Sequence, residues 1–380
     1  MTYNYPVAII LSNLYCRYKM GSSTNFNTLR KKIDSLDQEI LKLLNDRGDI
    51  ALEIRKLKRE NSVWVYDPVR EKVIEKKLKE LNEGPLSDDS VLKIFREIIS
   101  ACRSLQQPTR VAYLGPEGSY SNQASFHEFG GSAELIPVGS FEEVFEEVEN
   151  GRASFGVVPV ENSIEGSVSM VLDLLSRSHL RVEAELFERI NHFLLSRNGN
   201  IKDIRVVASH PQAIAQCKKW INKNISGLEL LETSSTAEAA KLAYRKKNLA
   251  AIASEYSASI YKLNIIQKNI EGSSLNTTRF FVIGNQINKP TGQDRTSIVF
   301  SLKDKPGALQ NAFFQPFADA KINLSKIESR PSKERPWEYL FFVDFKGHSE
   351  DKVIKSLLSK LDKSCVYLKV LGSYPEGKLS

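Results

Sequence analysis

Between Asn25 and Gln107 apolar residues return at helical intervals: Leu29, Ile33, Leu36, Ile40 and Leu43 are separated by alternating steps of four and three, with charged residues between them. That spacing predicts one long amphipathic helix. A second helix is expected to open at Asp67-Pro68, since aspartate caps free N–H groups and proline suits the first helical position; its seam is Ile74, Leu78 and Leu81. A third follows Ser87-Asp88-Asp89 and carries Val91, Phe95, Ile98, Ile99 and Leu105. Helices this exposed on one face need partners, which predicts a homodimer or a higher homo-oligomer.

From about Arg110 to Asn285 the pattern changes to short β-rich runs, such as Val111-Ala112-Tyr113-Leu114 and Arg205-Val206-Val207-Ala208, alternating with helical stretches. That alternation predicts an α/β domain. The polar run from Gln286 to Asp294 reads as a linker. Beyond it come a strand at Ser297 to Leu302, a helix at Pro306 to Ala320 and strands around Leu324 to Glu328 and Leu340 to Phe345. A helix at Asp351 to Leu361 and a strand at Val366 to Leu371 complete a βαββαβ order, that of a ferredoxin-like α+β unit.

The chain has 380 residues, more than one hydrophobic core usually serves, so two or three domains are expected. A net charge of +7 favours anionic partners. Nucleic acid is not expected, because Lys and Arg are interleaved with Asp and Glu and no nucleic-acid-binding motif appears. Cys16, Cys102, Cys217 and Cys365 lie far apart, which suggests neither a disulfide framework nor a metal site and fits a reducing, cytoplasmic setting. The short apolar run Pro6 to Leu11 lacks a preceding basic cluster and reads as part of an extension over residues 1–24. No run is long enough to span a bilayer.

Charges interrupt the seams of the helical segment. Arg47 continues the stripe of the first helix, and Lys58 returns to nearly the same face eleven residues on, about three turns later. Glu71 and Asp67 extend the second seam backwards, and Cys102 and Gln106 lie along the third. A buried Arg47–Glu71 pair would be the plain account, but the cations outnumber what one carboxylate neutralises, so an anionic ligand explains them better. The segment resembles the all-helical chorismate mutases, through Leu29-Arg30-Lys31-Lys32-Ile33-Asp34, Leu43-Leu44-Asn45-Asp46-Arg47, Lys58 and Asp67-Pro68-Val69-Arg70-Glu71.

This resemblance implies that Arg30 and Arg47 hold substrate carboxylates, with Arg30 reaching into a partner subunit's site. It implies that Lys58 and Gln106 address the ether oxygen, that Asp67 through its backbone and Glu71 hold the ring hydroxyl, and that Arg70 supports the site. The rearrangement of chorismate to prephenate needs no nucleophile and no metal, only a fold that compacts a dianion and donors for the charge growing on oxygen. Cys102 stands where such mutases often have serine, and a thiol is the weaker donor.

In the α/β segment, small polar clusters recur at strand ends and helix starts, where ligand sites of such folds collect: Leu114-Gly115-Pro116-Glu117-Gly118-Ser119, Glu161-Asn162-Ser163, Ser209-His210-Pro211-Gln212, Ser234-Ser235-Thr236 and Asn276-Thr277-Thr278-Arg279-Phe280. Singly each could be a turn or a helix cap. Together they resemble the prephenate dehydratases, which implies a two-lobed, periplasmic-binding-protein-like fold with the site in its cleft. Gly115, Ser119, Glu161, Asn162, Ser163, Ser209, Gln212, Ser235 and Thr236 are then expected to bind substrate. Thr278, Arg279 and Phe280 are the implied catalytic signature: Arg279 pairs with a carboxylate, Phe280 packs near the ring, and Thr278 assists departure of the hydroxyl. Glu161 is the candidate proton donor, and His210 is either a titrating group or a structural hydrogen-bonder.

Gly307-Ala308-Leu309, after Lys305-Pro306, and Glu328-Ser329-Arg330-Pro331 resemble the two phenylalanine-binding motifs of ACT regulatory domains. Gln310 replaces the apolar residue usual there. Taken together, the chain resembles the bifunctional chorismate mutase/prephenate dehydratases. The resemblance implies a helical mutase domain over 25–108, a dehydratase domain over 109–285, a linker over 286–295 and a regulatory domain over 296–376, using no cofactor and inhibited by phenylalanine. The alternatives are a dehydratase whose mutase segment serves only dimerisation, and a two-lobed solute- or amino-acid-sensing protein.

Overall fold

The computed structural model describes residues 25–60, 65–225, 227–272, 275–303, 305–332 and 338–377. The N-terminal apolar run and Cys16 lie outside them. The chain divides into two units, Met1–Glu53 and Ile54–Ser380. In the first, helix α1 (Phe26–Glu60) begins, and its expected seam of Leu29, Ile33, Leu36, Ile40 and Leu43 is exposed.

The second unit contains the end of α1, then α2 (Pro68–Leu81) and α3 (Asp88–Gln106). Asp67 caps α2 as its spacing predicts: its Oδ1 accepts from the Arg70 N–H at 2.9 Å, and Pro68 takes the first turn, where no N–H is needed. Ser87 caps α3 through the Ser90 N–H at 3.2 Å.

Two sheets follow. The first has the order β2-β1-β3-β11-β5, with parallel β1 (Arg110–Leu114), β2 (Glu134–Val138) and β3 (Phe155–Asn162). Strand β11 (Thr277–Gly284) runs antiparallel between β3 and β5 (Arg181–Arg189), and short β4 (Gly166–Ser167) folds back on β3. The second has the order β10-β6-β9-β7-β8, from β6 (Phe193–Ser196), β7 (Val206–Ser209), β8 (Glu229–Glu232), β9 (Leu249–Ala253) and β10 (Asn264–Gln267). The chain thus leaves the first lobe after β5 and returns to it with β11, which makes two crossings between the lobes.

Helices α4 (Tyr120–Phe129) and α5 (Phe141–Glu149) start where β1 and β2 end, and α6 (Ser169–Arg177) follows β4. In the second lobe α7 (Pro211–Asn224), α8 (Thr236–Arg245) and α9 (Glu255–Tyr261) follow β7, β8 and β9. The helix N-termini therefore gather at the C-terminal ends of parallel strands, the setting in which open α/β sheets bind ligands. Helix α8 packs closely because its buried face is Ala237, Ala239, Ala240 and Ala243, set against the wholly buried β9.

A third sheet, β13-β14-β12-β15, is built from β12 (Asp294–Leu302), β13 (Leu324–Pro331), β14 (Tyr339–Lys346) and β15 (Cys365–Pro375). With the helical stretch Leu309–Phe314 continuing as α10 (Gln315–Asp319), and α11 (Lys352–Ser364), it has the expected βαββαβ order. The first helix begins later than Pro306 and opens with a wider, π-type turn; Gly307 before it has φ +74°, outside helical space. Phe300, Phe313, Phe317 and Phe345 fill the space between sheet and helices, with Phe300 and Phe313 stacked at 4.3 Å.

The third sheet also shares a core with the first lobe: Val182, Phe281 and Ile283 pack with Val299, Phe342, Leu371 and Tyr374. Each large side chain buried there contributes roughly 1.5–3 kcal/mol. Strand β15 approaches β5 so closely that a Cβ on Gly372 would lie 2.1 Å from the Val182 carbonyl oxygen. The polar run that reads as a linker is fastened to this junction. Gln286 and Asn288 are buried, Gln286 N–H donates to Glu183 Oε1 at 2.8 Å, and Asn288 Nδ2 donates to the Glu183 and Ser373 carbonyls at 2.7 and 3.0 Å.

Candidate functional sites

Strand β11 carries Thr278, Arg279 and Phe280 in sequence, and a strand turns successive side chains to opposite faces. Thr278 is almost wholly buried, and its Oγ1 accepts from Asn162 Nδ2 at 2.9 Å, across the β3–β11 pair. The same amide donates to Asn276 Oδ1 at 2.8 Å, while Asn162 Oδ1 accepts from the Ile164 and Glu165 N–H groups at 3.0 and 3.1 Å. With its oxygen already accepting, Thr278 keeps its own proton available to a third group.

The network continues into the second lobe. Asn276 Nδ2 donates to Gln216 Oε1 at 3.0 Å, and His192 Nε2 lies 2.9 Å from that same oxygen. His192 Nδ1 is 3.3 Å from the Tyr120 hydroxyl, which donates to the Asn191 carbonyl at 2.7 Å. Burial holds the His192 imidazole below its usual range. The lobes also meet where the Gly118 carbonyl accepts from Ser257 Oγ and the Glu117 carbonyl from the Tyr261 hydroxyl, both at 2.6 Å.

Arg279 departs from the expectation that it pairs with a substrate carboxylate. It faces the third sheet, where Nε donates to Glu185 Oε2 at 2.8 Å, Nη1 to Asp344 Oδ2 and Nη2 to the Tyr374 hydroxyl at 3.0 Å. Its guanidinium lies over the Phe281 ring and is buried. A buried arginine so engaged already has its counter-charges. Phe280 likewise faces a core, with Tyr66, Val111, Phe129 and Phe155, and not an open cleft.

The remaining expected residues divide. Ser119, His210 and Ser235 cap α4, α7 and α8, accepting from the N–H groups of Asn122, Gln212 and Glu238. His210 is therefore a structural hydrogen-bonder through Nδ1. Ser209 is fully buried and donates to the Ile252 carbonyl at 2.6 Å, within its own lobe. Gly115 lies in a close turn, its N–H donating to the Val138 carbonyl at 2.9 Å. Ser163 Oγ bridges from the Thr277 N–H to the Leu275 carbonyl. Gln212 and Thr236 occupy the first turns of α7 and α8.

Glu161 is engaged from the third sheet: Lys326 Nζ stands 3.1 Å from its Oε2 and donates to Ser167 Oγ at 2.8 Å. Ser167 in turn donates to Glu328 Oε2. On β13 the side chains of Lys326, Glu328 and Arg330 turn towards the first lobe, Arg330 pairing with Asp173 at 3.3 Å. Ser329 and Pro331 on the alternate positions are exposed. At the other motif, a Cβ on Gly307 would lie 3.1 Å from Asn311 Nδ2; Ala308 and Leu309 are half-buried.

In the helical segment Arg30 lies exposed and Arg47 half-buried within the N-terminal unit. In the second unit Lys58 Nζ donates to the Val65 carbonyl at 3.0 Å, and burial holds its ammonium below the usual lysine range. Glu71 pairs with Arg103, a residue absent from the expected set. Arg103 is buried against the adjoining rings of Tyr66 and Phe129, its guanidinium at 5.1 and 5.6 Å from their centres. Burial pushes the Glu71 carboxyl up to about 7, against the pull of Arg103. Cys102 is buried, Gln106 half-buried and Arg70 exposed. Arg55 Nε, Arg103 Nη1 and Gln106 Oε1 are buried without a protein partner.

The chain matches three family descriptions: chorismate mutase type II over residues 29–107, prephenate dehydratase over 111–288 and ACT domain over 296–363. It is 44% identical to a bifunctional chorismate mutase/prephenate dehydratase of Aquifex aeolicus, over 92% of this chain and 98% of that one. The chain belongs to the bifunctional chorismate mutase/prephenate dehydratase family. A second member, from Pseudomonas aeruginosa, is 41% identical over 95% of this chain and all of its own. The structure of a prephenate dehydratase from Arthrobacter aurescens, in complex with L-Phe, superposes with a TM-score of 0.65 at 31% identity, covering 70% of this chain and 90% of that one.

Within this bifunctional mutase/dehydratase framework, sequence reasoning gave no role to Asn276, which opens one of the polar clusters, and missed Gln216, His192, Tyr120 and Arg103. Two of these carried a signal in their spacing. Gln216 falls one turn beyond Gln212 on the same helix, and Arg103 lies between Ile99 and Gln106 at steps of four and three. Tyr120 directly follows the cluster that ends at Ser119, but His192 had no signal, because their meeting depends on how the lobes close.

Proposed function

We propose that the chain rearranges chorismate to prephenate in its helical segment, residues 25–108. Residues 109–285 then decarboxylate and dehydrate prephenate to phenylpyruvate, and phenylalanine inhibits through residues 296–376. The observation that carries the second activity is the Asn162–Thr278 hydrogen bond at the junction of the lobes. As carbon dioxide leaves, its bonding electrons enter the ring and the ring hydroxyl departs. Thr278, its oxygen fixed by Asn162, orients that hydroxyl with its free proton, and charge stabilisation at the departing oxygen lowers the barrier. Gly115, Ser119, Glu161, Ser163, Ser209, Gln212, Ser235 and Thr236 shape the surrounding cleft, several of them through the caps that fix the helix N-termini.

For the first activity, Arg30 and Arg47 grip carboxylates, Lys58 and Gln106 serve the ether oxygen, and Asp67 and Glu71 hold the ring hydroxyl, with Arg70 in support and Cys102 at the serine position. The buried, unpaired polar atoms of Arg103 and Gln106 support a polar ligand here. The exposed apolar stripe of α1 supports a homodimer or higher homo-oligomer. Phenylalanine binds at Gly307 to Leu309 and Glu328 to Pro331, between modules of two subunits. A cytoplasmic setting suits the thiols. No described helix is long and apolar enough to cross a membrane.

The test is to supply purified protein with chorismate and follow both products. Prephenate followed by phenylpyruvate is expected. Turnover of supplied prephenate with none of chorismate would leave a dehydratase with a merely structural helical segment, and binding without turnover of either would leave a sensor.

A further inference from the structure

Arg103 is a cation that the polar seams did not call for. It belongs to α3, its Nη2 donates to Glu71 Oε1 on α2, and its guanidinium packs against the adjoining rings of Tyr66 and Phe129. Tyr66 is itself locked, its hydroxyl donating to Glu128 at 2.6 Å and its ring packed against Phe129 and Phe155. The arginine therefore has little freedom: it is buried, bonded to Glu71 and packed on a pair of touching rings, one of which the dehydratase lobe supplies. A carboxylate held by so constrained a donor has its remaining lone pairs aimed by the protein, before any ligand arrives.

We propose that Arg103 is a positioning residue of the mutase reaction, holding the Glu71 carboxylate oriented to accept the hydrogen bond of the substrate's ring hydroxyl. The proposal rests on the reading of the helical segment as a mutase. The groups that act on Glu71 are Arg103 from α3, Glu75 on its own helix, Glu128 from α4 and, more weakly, Lys58 from α1. Burial and the two glutamates favour the neutral acid, and Arg103 is the principal opposing charge. Removing it leaves a carboxyl that takes up a proton at higher pH and can turn away from the substrate.

The test uses the full-length protein and reads mutase kcat/KM across the neutral and alkaline range, with dehydratase activity on supplied prephenate as the control for folding. Arg103→Met is expected to lower mutase kcat/KM at neutral pH by about 10–100-fold, to move the acid limb of the profile to higher pH and to spare the dehydratase. In a Glu71→Gln background the same substitution should add almost nothing, because Arg103 acts through Glu71. An unchanged mutase profile, or an undiminished further loss in the Glu71→Gln background, overturns the proposal. If Arg103→Met also loses dehydratase activity, Arg103→Gln decides by the same readings. Lys58→Ala separates the two levels: retained mutase activity there defeats the site reading itself, whereas its loss beside an unaffected Arg103→Met defeats only the role of Arg103.

Discussion

Lys326 of the regulatory sheet stands 3.1 Å from Glu161, the residue directly before the asparagine that holds Thr278. A displacement of β13 therefore reaches the dehydratase site through one ion pair and one peptide unit. Lys326→Met should raise the phenylalanine concentration for half-inhibition by about tenfold, while direct binding of phenylalanine weakens far less, since coupling and binding are distinct free energies. Calorimetry beside inhibition assays measures both. Undiminished inhibition would show that the signal takes another route.

The two activities should separate by mutation. Thr278→Ala, or Asn162→Ala, removes the group that orients the departing hydroxyl, and is expected to cost the dehydratase about 10²–10⁴-fold with the mutase unaffected. Arg47→Ala should do the reverse, since a carboxylate loses its cation. Equal loss of both activities in either variant, measured with each substrate supplied separately, would point to a folding defect.

Arg279 tests a different property. Its removal leaves Asp344 buried without its cation, while Glu185 keeps only Arg295, at 2.9 Å, and breaking a buried ion pair costs about 3–5 kcal/mol. Arg279→Met should therefore lower stability sharply in chemical unfolding, and any loss of activity should follow the loss of folded protein. A variant as stable as its parent but inactive would return Arg279 to the substrate.

Glu183 makes stability depend on pH. It is fully buried, accepts from the Gln286 N–H and has its second oxygen unpaired; burial pushes its carboxyl up to about 8. The folded state keeps a proton that the unfolded chain releases near the ordinary carboxylate value, so this group's contribution declines as pH rises from that value to about 8, then levels. Glu183→Gln should flatten this decline and stabilise the protein at alkaline pH by on the order of a few kcal/mol. Unfolding midpoints across that range would check it, and a slope equal to the parent's would rule Glu183 out.

Much of the architecture was legible because it rests on local rules. Asp67 and Ser87 cap the helices that their spacing predicts, and the third sheet follows its own alternation. The signature Thr278-Arg279-Phe280 was legible only in part: strand periodicity already separates the threonine and phenylalanine from the arginine, but which face meets another sheet is decided by Asp344 and Tyr374, far along the chain. For the same reason Arg103 escaped notice as the partner of Glu71. Polar composition marked Gln286 to Asp294 as a linker, yet composition cannot show that Asn288 finds its acceptors at Glu183 and Ser373.

The core that joins β5 and β11 to β12, β14 and β15 changes what a cut in the chain means. Ending the polypeptide after Asn285 would strip Val299, Phe342, Leu371 and Tyr374 from the first lobe and bare an apolar surface prone to aggregation. A protease nick near Gly292, by contrast, opens only the local turn in which the Thr291 and Gly292 N–H groups donate to Asp294, and leaves that core whole. The nicked protein should run as a single particle through a sizing column and come apart only in denaturant, so the two fragments behave as complementary halves of one folded body.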